Sequence, residues 1–186
     1  ASDVYKRQVM RRAGDGPRRI DCEKFHNVAN CCYLYANNEY RPKNEETMIN
    51  DKVRMYLLPP LFNAAVRAGA AIMEVYKDRS SYEVSLKSDR TPITLADRLA
   101  HKTIREYLGP TRIPILSEEG RELRYEERRN WELFWLVDPL DGTVEFLKGN
   151  NEFTVNIALM ENNVCVGAVI SVSYTHLRAH ETSQDL

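Results

Sequence analysis

The stretch Trp135–Phe146, WLVDPLDGTVEF, decides how this chain is read. An apolar run, LFWLVD, ends in two carboxylates, Asp138 and Asp141, with Pro139 between them. Gly142 and Thr143 follow directly. The apolar run has the character of a buried strand, and Asp-Pro is a turn former. Like charges delivered to the lip of a core cost solvation and repel each other, so something positive has to compensate them.

Other acids lie beside apolar segments in the same way. Glu118 and Glu119 end the short strand of IPILSEEG, and Asp97 falls in the first turn of a helix that Thr94 can cap. Few cations neighbour these positions in sequence, apart from Arg98 and Arg121. A hard divalent cation would compensate, because Mg²⁺ takes carboxylate, carbonyl and water oxygens. Each acid taken singly also reads as a turn former or a helix cap. Together, DPLDGT offers two carboxylates, a carbonyl, and the Gly142 and Thr143 N–H groups that can hold a phosphate. Metal carboxylates beside an anion site are what phosphoester hydrolysis needs.

The bulk properties narrow the class. The chain has 186 residues, 43% hydrophobic and 28% charged, with formal net charge -1. That suits a soluble globular protein of one domain or part of a larger one. Mixed charges predict no broad electropositive surface for a nucleic acid polymer. No apolar run reaches the roughly eighteen residues of a membrane span, and the start has no signal-peptide core. The chain reads as cytoplasmic, with peripheral attachment at the inner membrane as the alternative. Cys22, Cys31, Cys32 and Cys165 read as reduced thiols.

Residues 1–47 show no sustained period and read as an irregular or disordered extension, outside the native coding sequence, with Met48 as the natural start. Helical spacing predicts a helix over Met55–Tyr76, its regular part opening at Pro59 and Pro60. A second helix follows Thr94, with Leu95, Leu99, Ile104 and Leu108 along one side and a stop at Gly109-Pro110. YEERRNW reads as a helical turn. EFTVNIALM and VCVGAVI read as strands joined by a hairpin turn at ENN. Residues 171–186 read as a disordered polar tail, also foreign to the native protein. His176 and His180 stand four apart there, without an HExxH pattern. The residues alone support an α+β or α/β fold with acidic turns.

LSEEG, then WLVDPLDGT, then EFTVNIAL resemble the inositol monophosphatase superfamily, and within it the bacterial 3'(2'),5'-bisphosphate nucleotidases. The entry to the second helix, SDRTPITLADRLAHKTI, is similar too. The resemblance implies an α+β fold, a layered α/β sandwich of the sugar-phosphatase type, with residues 48–170 as its N-terminal part. It implies Mg²⁺ as cofactor and Glu118, Asp138, the Leu140 carbonyl and Asp141 as metal ligands, with Asp138 bridging two ions. It assigns the scissile phosphate to the Gly142 and Thr143 N–H groups. Asp97 and the Thr143 hydroxyl would orient the attacking water, with Glu118 also at the catalytic centre and Glu119 behind it. Substrate contacts fall on Glu118, Leu140, Asp141, Gly142 and Thr143.

The implied reaction is hydrolysis of 3'-phosphoadenosine 5'-phosphate to AMP and phosphate, in sulfur metabolism. The alternatives are an inositol or sugar phosphate substrate, or a catalytically incomplete fragment. The implied partner is thus a small phosphate ester, and a homodimer is left open. Two departures bear on substrate: Val144 stands where the family often has Lys, and KGNNEF replaces a basic residue and Gly before Glu-Phe. The family takes a further metal-binding Asp from a downstream Trp-Asp motif, so the chain is expected to be an N-terminal fragment.

Overall fold

Leu57, Leu61, Ala65, Ala68, Ile72 and Val75 recur at helical spacing, and all are buried on helix α1, Asp51–Lys77. In this computed structural model, which describes residues 18–20, 30–36, 51–86 and 92–173, α1 does not open at the prolines. It runs through Pro59 and Pro60. Each proline removes one backbone donor, but Leu57 and Leu61 are buried on either side of the pair, and packing of that stripe carries the helix across.

Helix α2, Leu95–Leu108, starts where Thr94 and Asp97 predict. Its buried face differs from the leucine stripe. Ala96, Asp97, Ala100, Ile104 and Leu108 are buried, Leu95 is only partly so, and Leu99 is 36% exposed. The alanines of α2 meet Ala64, Ala65 and Ala68 of α1 within one core, where small side chains let two backbones approach. The stop falls at Gly109 as expected, but Gly109 keeps a helical conformation and leads into a short 3-10 turn. Arg112 takes the left-handed conformation that reverses the chain.

The main sheet combines β1 (Arg18–Ile20), β2 (Asn30–Ala36), β5 (Ile115–Ser117), β6 (Leu133–Asp141), β7 (Thr154–Glu161) and β8 (Val164–Ser173). Its order is β1-β2-β8-β7-β6-β5. β5 runs parallel to β6, and the other neighbours are antiparallel. A small hairpin, β3 (Ser85–Leu86) with β4 (Pro92–Ile93), precedes α2. The helical turn α3 (Tyr125–Arg128) lies between β5 and β6, and α4 (Thr143–Lys148) follows β6. The β7–β8 turn at Asn162-Asn163 places both residues at positive φ, which asparagine tolerates.

Strand alternation sorts the core onto two faces. Trp135 and Val137 of β6, with Val155, Ile157 and Leu159 of β7, pack under α1 and α2. Phe134, Ala158, Met160 and Ala168 form a second cluster on the opposite face, joined by Leu116 and Leu136. The architecture is α+β and layered, with helices on one face of a mixed sheet.

Within 1–47 the irregular reading is corrected at two places, where β1 and β2 extend the sheet. The β8 edge offers β2 a backbone ladder that runs from Asn30 opposite Ser173 to Ala36 opposite Gly167. β8 also runs past residue 170, to Ser173. The rest of 1–47, and residues 174–186 with His176 and His180, lie outside the described residues. Among the described residues, no helix is long and apolar enough to cross a membrane.

Candidate active site

The C-terminal end of β5 lies beside the middle of β6, just before its bulge, because the two strands are parallel and Ser117 is paired with Val137. The Glu118 N–H donates to the Val137 carbonyl at 3.1 Å, which sets Glu118 beside the start of the Asp138 turn. Alternation sends Ser117 toward α2 and leaves Glu118, Asp138 and Asn156 on the opposite face. Glu118 is exposed, while Asp138 and Asp141 are half-buried.

Pairing between β6 and β7 shifts register between Asp138 and Asp141, and Pro139 sits in that irregularity. A proline with no donor is tolerated at such a bulge. The bulge turns Asp141 so that its Oδ2 accepts from Asn156 Nδ2 at 3.0 Å. Asn156 Oδ1 in turn accepts from the Thr154 hydroxyl at 3.1 Å. Asn156 is also the register partner of Asp138, so one amide borders both aspartates.

Gly142 then makes the corner into α4 at φ +94. A Cβ there would meet the Glu152 carbonyl at 2.7 Å, so both backbone conformation and space require glycine. Behind the corner, Phe146 and Phe153 are buried with ring centroids 5.4 Å apart, and Tyr76 and Tyr82 close the cluster. This aromatic floor fixes α4, and with it Thr143.

The Thr143 hydroxyl lies 3.1 Å from Asp97 Oδ1 and 3.3 Å from the Leu140 carbonyl oxygen, and can donate to either. Asp97 and Thr94 are fully buried. Asp97 Oδ2 accepts from the Thr94 N–H at 2.7 Å and from its hydroxyl at 2.6 Å, while the Asp97 N–H donates back to Thr94 Oγ1 at 3.4 Å. This is the expected capping box, completed by Asp in place of Glu. Burial pushes the Asp97 carboxyl above its ordinary range, and the hydrogen bonds from Thr94 and Thr143 oppose that shift without cancelling it.

Asp97, Leu140 and Thr143 thus meet directly, Asp141 and Gly142 adjoin them on the same turn, and Glu118 and Asp138 flank them at the strand ends. Asn156 and Thr154 were missed in the sequence. Their signal was a polar residue inside the otherwise apolar VNIALM. His101 was missed too. Its Nδ1 lies 2.9 Å from Ser117 Oγ, and burial followed by the charge of Arg105 holds it below its ordinary pKa. The two nearby cations are engaged elsewhere, Arg98 with Glu83 at 2.9 Å and Arg121 with Glu127 at 2.8 Å.

The donors gathered here are carboxylate, carbonyl and hydroxyl oxygens, the chemistry of a hard cation. Among the described residues no group of three or more Asp, Glu, His or Cys side chains forms a cage for a metal ion. Glu118, Asp138 and Asp141 are thus not gathered into one three-carboxylate cage, and any Mg²⁺ here would rest on one or two carboxylates with waters and substrate phosphates completing the shell.

A mixed sheet layered under paired helices, with acids at one bulged strand, places the chain in the layered α+β class. The chain belongs to the inositol monophosphatase family, whose pattern matches residues 55–182. It is 47% identical to the 3'(2'),5'-bisphosphate nucleotidase CysQ of Salmonella typhimurium, over 61% of this chain and 47% of that protein. It is 42% identical to CysQ of Escherichia coli K12, over 64% and 51%. The solved structure of CysQ from Bacteroides thetaiotaomicron superposes with a TM-score of 0.56 at 47% identity, covering 63% of this chain and 42% of that one. The chain spans about half the length of the curated relatives it matches.

Proposed function

We propose that this chain forms the metal-binding part of a Mg²⁺-dependent phosphomonoesterase that hydrolyses 3'-phosphoadenosine 5'-phosphate to AMP and phosphate. The observation that carries the proposal is the Thr143 hydroxyl, set between the buried Asp97 carboxylate and the Leu140 carbonyl. The likeness to CysQ nucleotidases supports the substrate.

Glu118 and Asp138 with the Leu140 carbonyl would hold one cation, and Asp141 a second. Bound there, Mg²⁺ supplies Lewis acidity and a lowered pKa for coordinated water. Asp97, with its raised proton affinity, accepts the Thr143 hydroxyl proton and leaves Thr143 Oγ lone pairs to orient the attacking water. A proton can then pass from water to Thr143 as the hydroxyl proton moves to Asp97. The Gly142 and Thr143 N–H groups, at the start of α4, bind the phosphoryl oxygens. Asn156 holds one oxygen of Asp141 and so fixes the orientation of that carboxylate.

A second reading keeps the same centre and exchanges the substrate for an inositol or sugar phosphate, which the family match supports. The test is phosphate release from 3'-phosphoadenosine 5'-phosphate and from inositol 1-phosphate by the protein carrying this chain, with and without Mg²⁺. The nucleotide should give the higher kcat/KM, and Asp138→Asn should abolish turnover. Preference for inositol 1-phosphate would replace the first reading with the second. Full activity in Asp138→Asn would remove both.

A further inference from the structure

Asp97 and His101 stand four residues apart on α2, so they share one face of that helix. Asp97 reaches the β6–α4 corner through Thr143. His101 reaches the end of β5, with Nδ1 2.9 Å from Ser117 Oγ. Either partner can donate, according to which ring nitrogen carries the proton. One helix face therefore touches both acidic turns.

The second turn is held from three directions. Gly120 N–H donates to the Ser117 carbonyl at 3.1 Å and closes it. Glu118 N–H donates to Val137 and ties it to β6. His101 ties it to α2 and lies beneath it, its Cε1 3.9 Å from where a Cβ on Gly120 would stand. Glu118 itself is exposed, so burial does little to fix where its carboxylate points. The place from which its carboxylate starts is set by the turn, which the Glu118 N–H ties to β6 and Ser117 ties to α2.

We propose that His101 and Ser117 are a positioning pair that holds the Glu118 turn in register with the Asp97–Thr143 corner, and so sets the cation affinity of the site. His101 touches neither ion nor substrate in this scheme. The inference rests on the reading of Glu118 and Asp138 as cation ligands. Partners behind a metal ligand typically matter by about 10- to 100-fold in affinity.

Mg²⁺ binding to the whole chain, followed by titration calorimetry, tests it. His101→Ala and Ser117→Ala should each weaken Mg²⁺ binding about tenfold, and the double variant should bind no worse than either single one. His101→Asn, whose amide can take the place of Nδ1, should recover most of the loss, a recovery that general loosening of the fold would not give. Unchanged Mg²⁺ affinity in both alanine variants, with Asp138→Asn impaired, would overturn the positioning role while sparing the metal centre. Equal, additive losses with no recovery in His101→Asn would also overturn it. Binding that Asp138→Asn leaves untouched would overturn the metal reading and this inference together. Should His101→Ala fail to fold, Ser117→Ala and His101→Asn still decide, since each removes few atoms.

Discussion

The two acidic turns at the strand ends are built on opposite principles. At the β6–α4 corner the key carboxylate, Asp97, is fully buried and receives hydrogen bonds on both oxygens. At the end of β5 the key carboxylate, Glu118, is exposed, and its backbone N–H is tied to the Val137 carbonyl. A buried charge is fixed by what surrounds it and is costly to disturb. An exposed one keeps its water and costs little to place. Changes at the first turn should therefore register in stability, and changes at the second in binding.

The largest effect is expected at Gly142. Gly142→Ala adds left-handed strain of about 1–3 kcal/mol to overpacking of about 1–3 kcal/mol against the Glu152 carbonyl. Urea denaturation should show a loss of about 3 kcal/mol in total. A loss under about 0.5 kcal/mol, the ordinary range for surface changes, would show that the corner is not a fixed point.

Thr94→Val comes next. It removes the N-cap oxygen of α2 and one of the donors to buried Asp97. The expected cost is about 1–2 kcal/mol, and helical amides near residue 97 should lose hydrogen-exchange protection.

The pH dependence sharpens the contrast. Asp97 is raised above 3.8 by burial, so between that value and its folded-state pKa the folded chain binds more protons than the unfolded one. In metal-free protein this contribution favours folding at low pH and is lost as pH rises through the folded-state value. Unfolding titrations of the wild type and of Asp97→Asn should diverge with that sign, the variant losing the downward slope. Divergence in the other direction would mean that hydrogen bonding, not desolvation, governs the group.

The smallest stability change belongs to Glu118→Gln, expected within about 0.5 kcal/mol as for other exposed sites. Mg²⁺ affinity should nevertheless fall in that variant. A large loss of stability with intact binding would reverse the comparison.

Much of this was legible in the sequence because the signals are local. Thr94 and Asp97 announce a helix start three residues apart, and Asn162-Asn163 announces a hairpin. Asp138, Asp141, Gly142 and Thr143 lie on one short segment, so their nearness needs no fold. The misses are non-local or involve weak side chains. Counting leucines put Leu99 on the buried face, whereas the approach of α1 selected Ala96 and Ala100. Asn156 acts on Asp141 across a strand pair, and His101 on Ser117 across a helix and a strand. Neither link exists before the sheet does. β1 and β2 carry no marked alternation, and their assignment comes from the β8 edge they pair with.

The outer strands of the sheet, β1 and β5, have three residues each. Among the described residues, each of these outer strands is thus only about 10 Å long.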